Sequence, residues 1–125
     1  MKEVLAIVRM GKINQTKRAL AAAGITSLHA KDCLGRGKGT VDIVRPNGIG
    51  DEYDAMIEDL GIKGRLVPKR MVSIIVPDKL VKKVVETIIA TNKTGKSGDG
   101  KVFVMPMMDS IRIRTGESGP DTLDQ

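Results

Sequence analysis

The chain has 125 residues, a formal net charge of +6, one cysteine, one histidine and two aromatic residues. That length fits one domain with its own core, and the single Cys33 excludes an internal disulfide framework, fits a reducing cytoplasm and, with His29 alone, leaves the common zinc sites unbuildable. No apolar run spans a bilayer and Met1-Lys2-Glu3 is not expected to open a signal peptide; the charge points to anionic partners, but Tyr53 and Phe103 are too few for a base-stacking nucleic-acid platform.

In chain order, Glu3-Val4-Leu5-Ala6-Ile7-Val8-Arg9 is almost continuously apolar and predicts a strand buried on both faces. Residues 12–23 predict a helix, with Asn14 as a candidate cap and Gly24 suited to follow its end. Residues 25–34 alternate roughly and predict a second strand carrying His29 and Cys33. A strand histidine reads either as structural or as a ligand contact, and Cys33 reads as a small strand residue in preference to a reactive thiol.

The pattern then stops. Gly35-Arg36-Gly37-Lys38-Gly39 interleaves glycines with cations, which suits a hinge or an anion-binding segment. Residues 40–66 hold Pro46, Asn47-Gly48, Gly50, Gly61 and Gly64, with five carboxylates between Asp51 and Asp59. The acidic ligand spacing is not that of an EF-hand. A connection this long reads either as a solvated insertion or as a partner-contact loop that orders on binding.

Regular structure resumes with a strand over 71–76, ended by Pro77. Asp78 is a candidate N-cap for a helix to about Ala90, with Val81, Val84, Val85, Ile88 and Ile89 as its apolar stripe. A fourth strand is expected over 101–105, and Ile111-Arg112-Ile113-Arg114 alternates as a short terminal strand with both arginines on one face. The end, 118–125, is polar and expected as a flexible C-terminal tail. The order β-α-β, long loop, β-α-β predicts an α+β fold, a ferredoxin-like double βαβ with an antiparallel sheet. Both helices would cover one sheet face, so the other would meet a partner, most simply in a symmetric oligomer.

Between the second helix and fourth strand, residues 94–101 pack three glycines and two lysines into eight positions. Glycines let the backbone approach a ligand, and two ammonium groups beside them suit phosphate. A Walker A loop is excluded, because Ala90 stands where its first glycine belongs and a strand follows the lysine. The stretch reads as a plain connection or as an anion cradle.

With these elements placed, the chain resembles the PII signal-transduction proteins, trimeric sensors of nitrogen and carbon status. The resemblance rests on three blocks: residues 1–9 with Ala19-Leu20 and Gly24-Ile25-Thr26; Pro68-Lys69 with Ile74-Ile75-Val76-Pro77-Asp78; and Thr94-Gly95-Lys96-Ser97-Gly98-Asp99-Gly100-Lys101-Val102-Phe103-Val104 with Ile111-Arg112-Ile113-Arg114-Thr115-Gly116-Glu117. It covers 1–117 apart from the loop at about 37–66, and implies a compact trimer with ATP or ADP bound between neighbouring subunits. Carried over by position, Gly35, Gly37, Lys38, Gly98, Gly100, Lys101, Arg112 and Arg114 would hold phosphates, and Asp99 would belong to the same nucleotide site. Segments around Ser27-Leu28-His29 and Ser73 to Ile75 would frame the base; the family often has threonine where His29 stands.

The resemblance also implies 2-oxoglutarate sensing beside a Mg²⁺ held by ATP, with Lys69 pairing the effector carboxylate. Gly39 replaces the glutamine that usually completes that site. The long, altered loop is most similar to the longer member of the PII-like pair encoded with nitrogenase genes. This implies a regulator, not an enzyme, that binds a nitrogenase component as a homotrimer or in a mixed assembly with a shorter paralogue, in the cytoplasm. Tyr53 sits in surroundings unlike the family's modification site. A general PII protein acting on an ammonium transporter or a biosynthetic enzyme is the alternative within the family. A small nucleotide-using enzyme is the alternative outside it, although nothing in the sequence orients His29 and Cys33 as a catalytic pair.

Overall fold

The computed structural model describes residues 1–37 and 66–125. Strand β1 (Lys2–Arg9) leads through a 3-10 turn into helix α1 (Ile13–Ala22), followed by β2 (His29–Gly35). Then come β3 (Val67–Val76), helix α2 (Val81–Asn92) and β4 (Lys101–Pro106). The four strands form one antiparallel sheet in the order β2-β3-β1-β4. The expected ferredoxin-like fold is thus present.

Alternation along the strands divides the sheet. Val4, Ala6 and Val8 of β1 and Val72, Ile74 and Val76 of β3 are buried beneath the helices, with Leu20, Ile25, Val84 and Ile88 opposite them. Leu5, Ile7, Met71 and Ile75 point to the other face and are only half-buried. The expectation that β1 is buried on both faces therefore fails within one chain: two helices can cover only one side of a pleated sheet.

The helices are tied by a buried polar contact. The Asn92 amide donates to the Thr16 hydroxyl at 3.0 Å and to the Ile88 carbonyl at 2.9 Å. Gly24 fills the expected position, with φ +87°. Its N–H donates to the Ala21 carbonyl at 3.0 Å and that of Ile25 to the Leu20 carbonyl at 2.8 Å, a Schellman closure with both apolar partners buried.

Neither expected N-cap side chain acts as one. Lys12 occupies the cap of α1 without a side-chain bond, leaving Asn14 inside the helix. A 3-10 turn over Asp78–Leu80 precedes α2, and the Asp78 carboxylate is taken instead by the Met1 amine at 3.0 Å and Lys2 at 3.3 Å. Strand β2 begins at His29, not residue 25, because Ile25 is spent closing α1. Residues 111–114 form no strand: Ile111 makes a single bridge to Ser118, and the chain turns back so that the Gly116 N–H meets the Arg112 carbonyl at 2.7 Å. Both isoleucines are exposed.

Candidate functional site

The loop between α2 and β4 is built around one carboxylate and two glycines. Asp99 accepts from the Thr94 hydroxyl, the Thr94 N–H at 2.8 Å, the Gly95 N–H at 3.0 Å and an Arg9 guanidinium nitrogen. The Thr94 hydroxyl first, then its N–H and Arg9, hold the Asp99 carboxyl far below the usual carboxylate range. Gly98 and Gly100 adopt φ +97° and +109°. A Cβ on Gly100 would fall 1.9 Å from the Ile7 carbonyl oxygen, so only glycine lets the loop lie flat on β1.

Arg9 and Lys69 face each other across the β1–β3 register. Two like charges opposed on neighbouring strands repel, and the loop relieves them: Arg9 donates to the Ser97 carbonyl at 3.0 Å, and Lys69 to the Gly98 carbonyl at 3.0 Å. Lys101 opens β4 opposite Ile7 with its side chain exposed. The fold therefore gathers Gly98, Asp99, Gly100, Lys101 and Lys69 at one end of the sheet. The Asp99 carboxylate is turned inward, where it shapes the loop.

Lys69 also borders a cleft of about 270 Å³ with Met10, Asp32, Cys33, Leu34 and Pro68. Gly35 ends β2 and Gly37 follows it; Lys38, Gly39 and Tyr53 lie outside the described residues. Arg9 was missed from sequence. Its signal was a cation ending an apolar strand, legible only once Lys69 was known to be its cross-strand neighbour.

A second cleft, of about 160 Å³, collects the base-framing residues: Ser27, Leu28 and His29 on one side, Ser73 and Ile75 on the other. His29 is exposed and pairs with Ser73 in the β2–β3 register. Arg112 lies beyond β4, bonded to Glu117 at 3.1 Å and to the Asp121 carbonyl at 3.4 Å; Arg114 is exposed.

Residues 118–125, expected as a flexible tail, follow a defined path. A 3-10 turn over Pro120–Thr122 is pinned by the Thr122 hydroxyl to Ser110, and Gln125 reaches into the second cleft. No composition signal marked Gln125.

Among the described residues no cluster of three His, Cys, Asp or Glu is placed to hold a metal, and no helix is long and apolar enough to cross a membrane.

Comparison with known proteins agrees with this geometry. The family model for nitrogen regulatory protein P-II matches residues 1–117. The "nitrogen fixation nifHD region GlnB-like protein 2" of Methanobacterium ivanovii is 43% identical over 98% of this chain and 99% of its own length. The protein of the same description from Methanothermobacter marburgensis is 42% identical, over 98% of this chain and all of its own. Among solved structures, Arabidopsis thaliana PII bound to citrate matches with a TM-score of 0.70 and 32% identity, covering 96% of this chain and 86% of that one. With the double βαβ fold and the glycine loop in place, the chain belongs to the nitrogen regulatory P-II family.

Proposed function

We propose that this chain is a PII-like sensor that binds ATP or ADP together with 2-oxoglutarate and controls nitrogenase by direct contact through its long loop. The observation that carries the nucleotide part is the glycine loop, held open on β1 by Gly100 and flanked by Lys101 and Lys69. Phosphate oxygens would meet backbone N–H groups and the Lys101 ammonium there, with Arg112 and Arg114 supplying guanidinium groups. Gly35, Gly37 and Lys38 would close over the phosphates. The base would lie between Ser27–His29 and Ser73–Ile75.

Mg²⁺ would arrive on the nucleotide, since the described residues offer no carboxylate cluster of their own. The 2-oxoglutarate carboxylate would pair with Lys69, at the cleft beside Cys33, and Gly39 stands where the family's glutamine usually completes that site. The citrate named with the Arabidopsis neighbour is a comparable polycarboxylate.

The nitrogenase target is supported by relatives named for the nifHD region. The chain would act as a homotrimer or beside a shorter paralogue in the cytoplasm. Phe103, Val104, Ile111 and Ile113 remain exposed on one chain and would gain cover in that assembly. Its role would be regulatory. His29 and Cys33 pair with Ser73 and Lys69 in the β2–β3 register, and in this reading they would frame ligands and not serve as a nucleophile and base. Switching requires nucleotide and effector to favour one loop conformation; equal affinity for both would move nothing.

Calorimetric titration of ATP with Mg²⁺, with and without saturating 2-oxoglutarate, tests the sensor. Each ligand should tighten the other by the same factor, since coupling is reciprocal. Inhibition of purified nitrogenase, relieved by the two ligands together, tests the target. Uncoupled binding would remove 2-oxoglutarate from the account, and unchanged nitrogenase activity would remove the target.

A further inference from the structure

We propose that Gln125 is a built-in competitor for the base of the nucleotide: its carboxamide occupies the cleft between Ser27 and Ile75, and nucleotide binding must displace it. This rests on the reading above that the base enters this cleft.

The hydrogen bonds define the chemistry. The Ser27 N–H donates to Gln125 Oε1 at 3.0 Å. Gln125 Nε2 donates to the Ser27 carbonyl at 3.0 Å and to the Ile75 carbonyl at 3.2 Å. The amide can sit only this way round, because a backbone N–H only donates and carbonyl oxygens only accept. The cleft therefore offers one donor, the Ser27 N–H, beside two acceptors that converge on a single amine, the Ser27 and Ile75 carbonyls. It takes a group that presents an acceptor next to an amine with two hydrogens.

The carboxamide is such a group, and so is the Watson–Crick edge of adenine, with a ring-nitrogen acceptor beside its exocyclic amine. Guanine presents the reverse, a ring N–H beside a carbonyl oxygen, and in the same pose would set its N–H against the Ser27 N–H and its carbonyl oxygen against the two carbonyls. Unmatched buried polar groups of this kind discriminate strongly. Gln125 thus reports the specificity of the cleft as well as filling it.

The anchoring of the segment extends the competition to the phosphate side. The Thr122 hydroxyl bonds the Ser110 hydroxyl at 2.7 Å, and Arg112 donates to the Asp121 carbonyl at 3.4 Å. A nucleotide that takes its base into the cleft and its phosphates onto Arg112 draws on groups that residues 121–125 hold in its absence. Release of the segment is then coupled to nucleotide occupancy, and it uncovers the surface around Ser110.

Calorimetric titration with ATP and Mg²⁺ of the intact protein, of Gln125→Ala and of Gln125→Glu provides the test. Glutamate lacks the amine hydrogens, so it cannot satisfy the two carbonyls. If the plugged state is populated about nine-tenths of the time, both variants bind ATP about ten-fold tighter than the parent, with GTP remaining weak in all three. In hydrogen exchange, the Ser27 amide is slow in the parent, fast in Gln125→Ala and slow again with ATP. Equal ATP affinity in parent and variants, or a Ser27 amide indifferent to residue 125, overturns the competitor role while leaving the nucleotide site standing. Failure of ATP to bind any of the three overturns the nucleotide reading and the competition with it.

Discussion

Strand β4 is flanked by two glycine-bearing segments built on opposite principles. The loop before it, 93–100, contains a glycine whose missing Cβ is a steric necessity, since any side chain on Gly100 would enter the backbone of β1. The segment after it, 107–125, also has glycines at positive φ, Gly116 and Gly119, but nothing lies within 4 Å of where a Cβ would stand. Arg112 and Thr122 bond within the segment and give it its shape, while its far end is held to the domain by the Gln125 carboxamide on Ser27 and Ile75. The first segment is fixed by exclusion of alternatives, the second by bonds that a ligand can replace. If the proposed nucleotide site holds, a preorganised loop beside a displaceable strap would divide the labour of a sensor, since rigidity lowers the ordering cost of binding and the strap would supply a second state.

Substitutions can break this contrast in order of expected size. Gly100→Ala should cost the most, about 3 kcal/mol or more, by combining a forbidden φ with a backbone collision; chemical denaturation measures it. Gly98→Ala should cost about 2 kcal/mol from its φ alone, because the atom met, an Arg9 guanidinium nitrogen at 3.2 Å, can swing aside. Gly119→Ala, at nearly the same φ of +94°, should cost a similar amount, about 1–2 kcal/mol, strain without a clash. Thr122→Val should cost about 1 kcal/mol or less in global stability, while loosening amide protection across 120–125.

Acid sharpens the same comparison. The native Asp99 carboxyl is held well below its ordinary value, so its contribution is complete above about pH 4. That contribution falls away as pH drops from there toward the depressed native value. Thermal unfolding of the parent should therefore lose stability more steeply on this acid limb than Asp99→Asn. Between pH 6 and 8 the Asp99 contribution should be flat.

Much of this architecture was legible from residue patterns, and the places where it was not have physical causes. Period-2 alternation and the apolar stripe of α2 located the sheet core and the second helix. The beginning of β3 was hidden by Pro68, which reads as a strand breaker. In the structure Pro68 pairs with Leu34 of β2 but lies beyond the end of β1, where no ladder bond is required of its missing N–H on the open side. The alternation of Ile111 to Arg114 misled because, among the described residues, it makes only a single bridge, Ile111 to Ser118; alternation predicts a face only when a sheet exists to provide one.

The site was legible in part for the same reason. Glycines with lysines between a helix and a strand read as a connection or a cradle, and Gly98 and Gly100 do adopt positive φ. Asp99, read as a nucleotide contact, organises the loop from within. Arg9 and Gln125 were invisible because each takes its meaning from a residue distant in sequence: Arg9 from Lys69 and Asp99, and Gln125 from Ser27 and Ile75.

The most direct test of the central claim is ATP titration of Lys101→Ala against the parent protein. The Lys101 side chain is exposed at the start of β4, so its removal should leave the unfolding midpoint unchanged. Loss of one charge-assisted phosphate contact should weaken ATP about ten-fold or more. Unchanged ATP affinity in a folded Lys101→Ala protein would contradict the assignment of the glycine loop as the phosphate site.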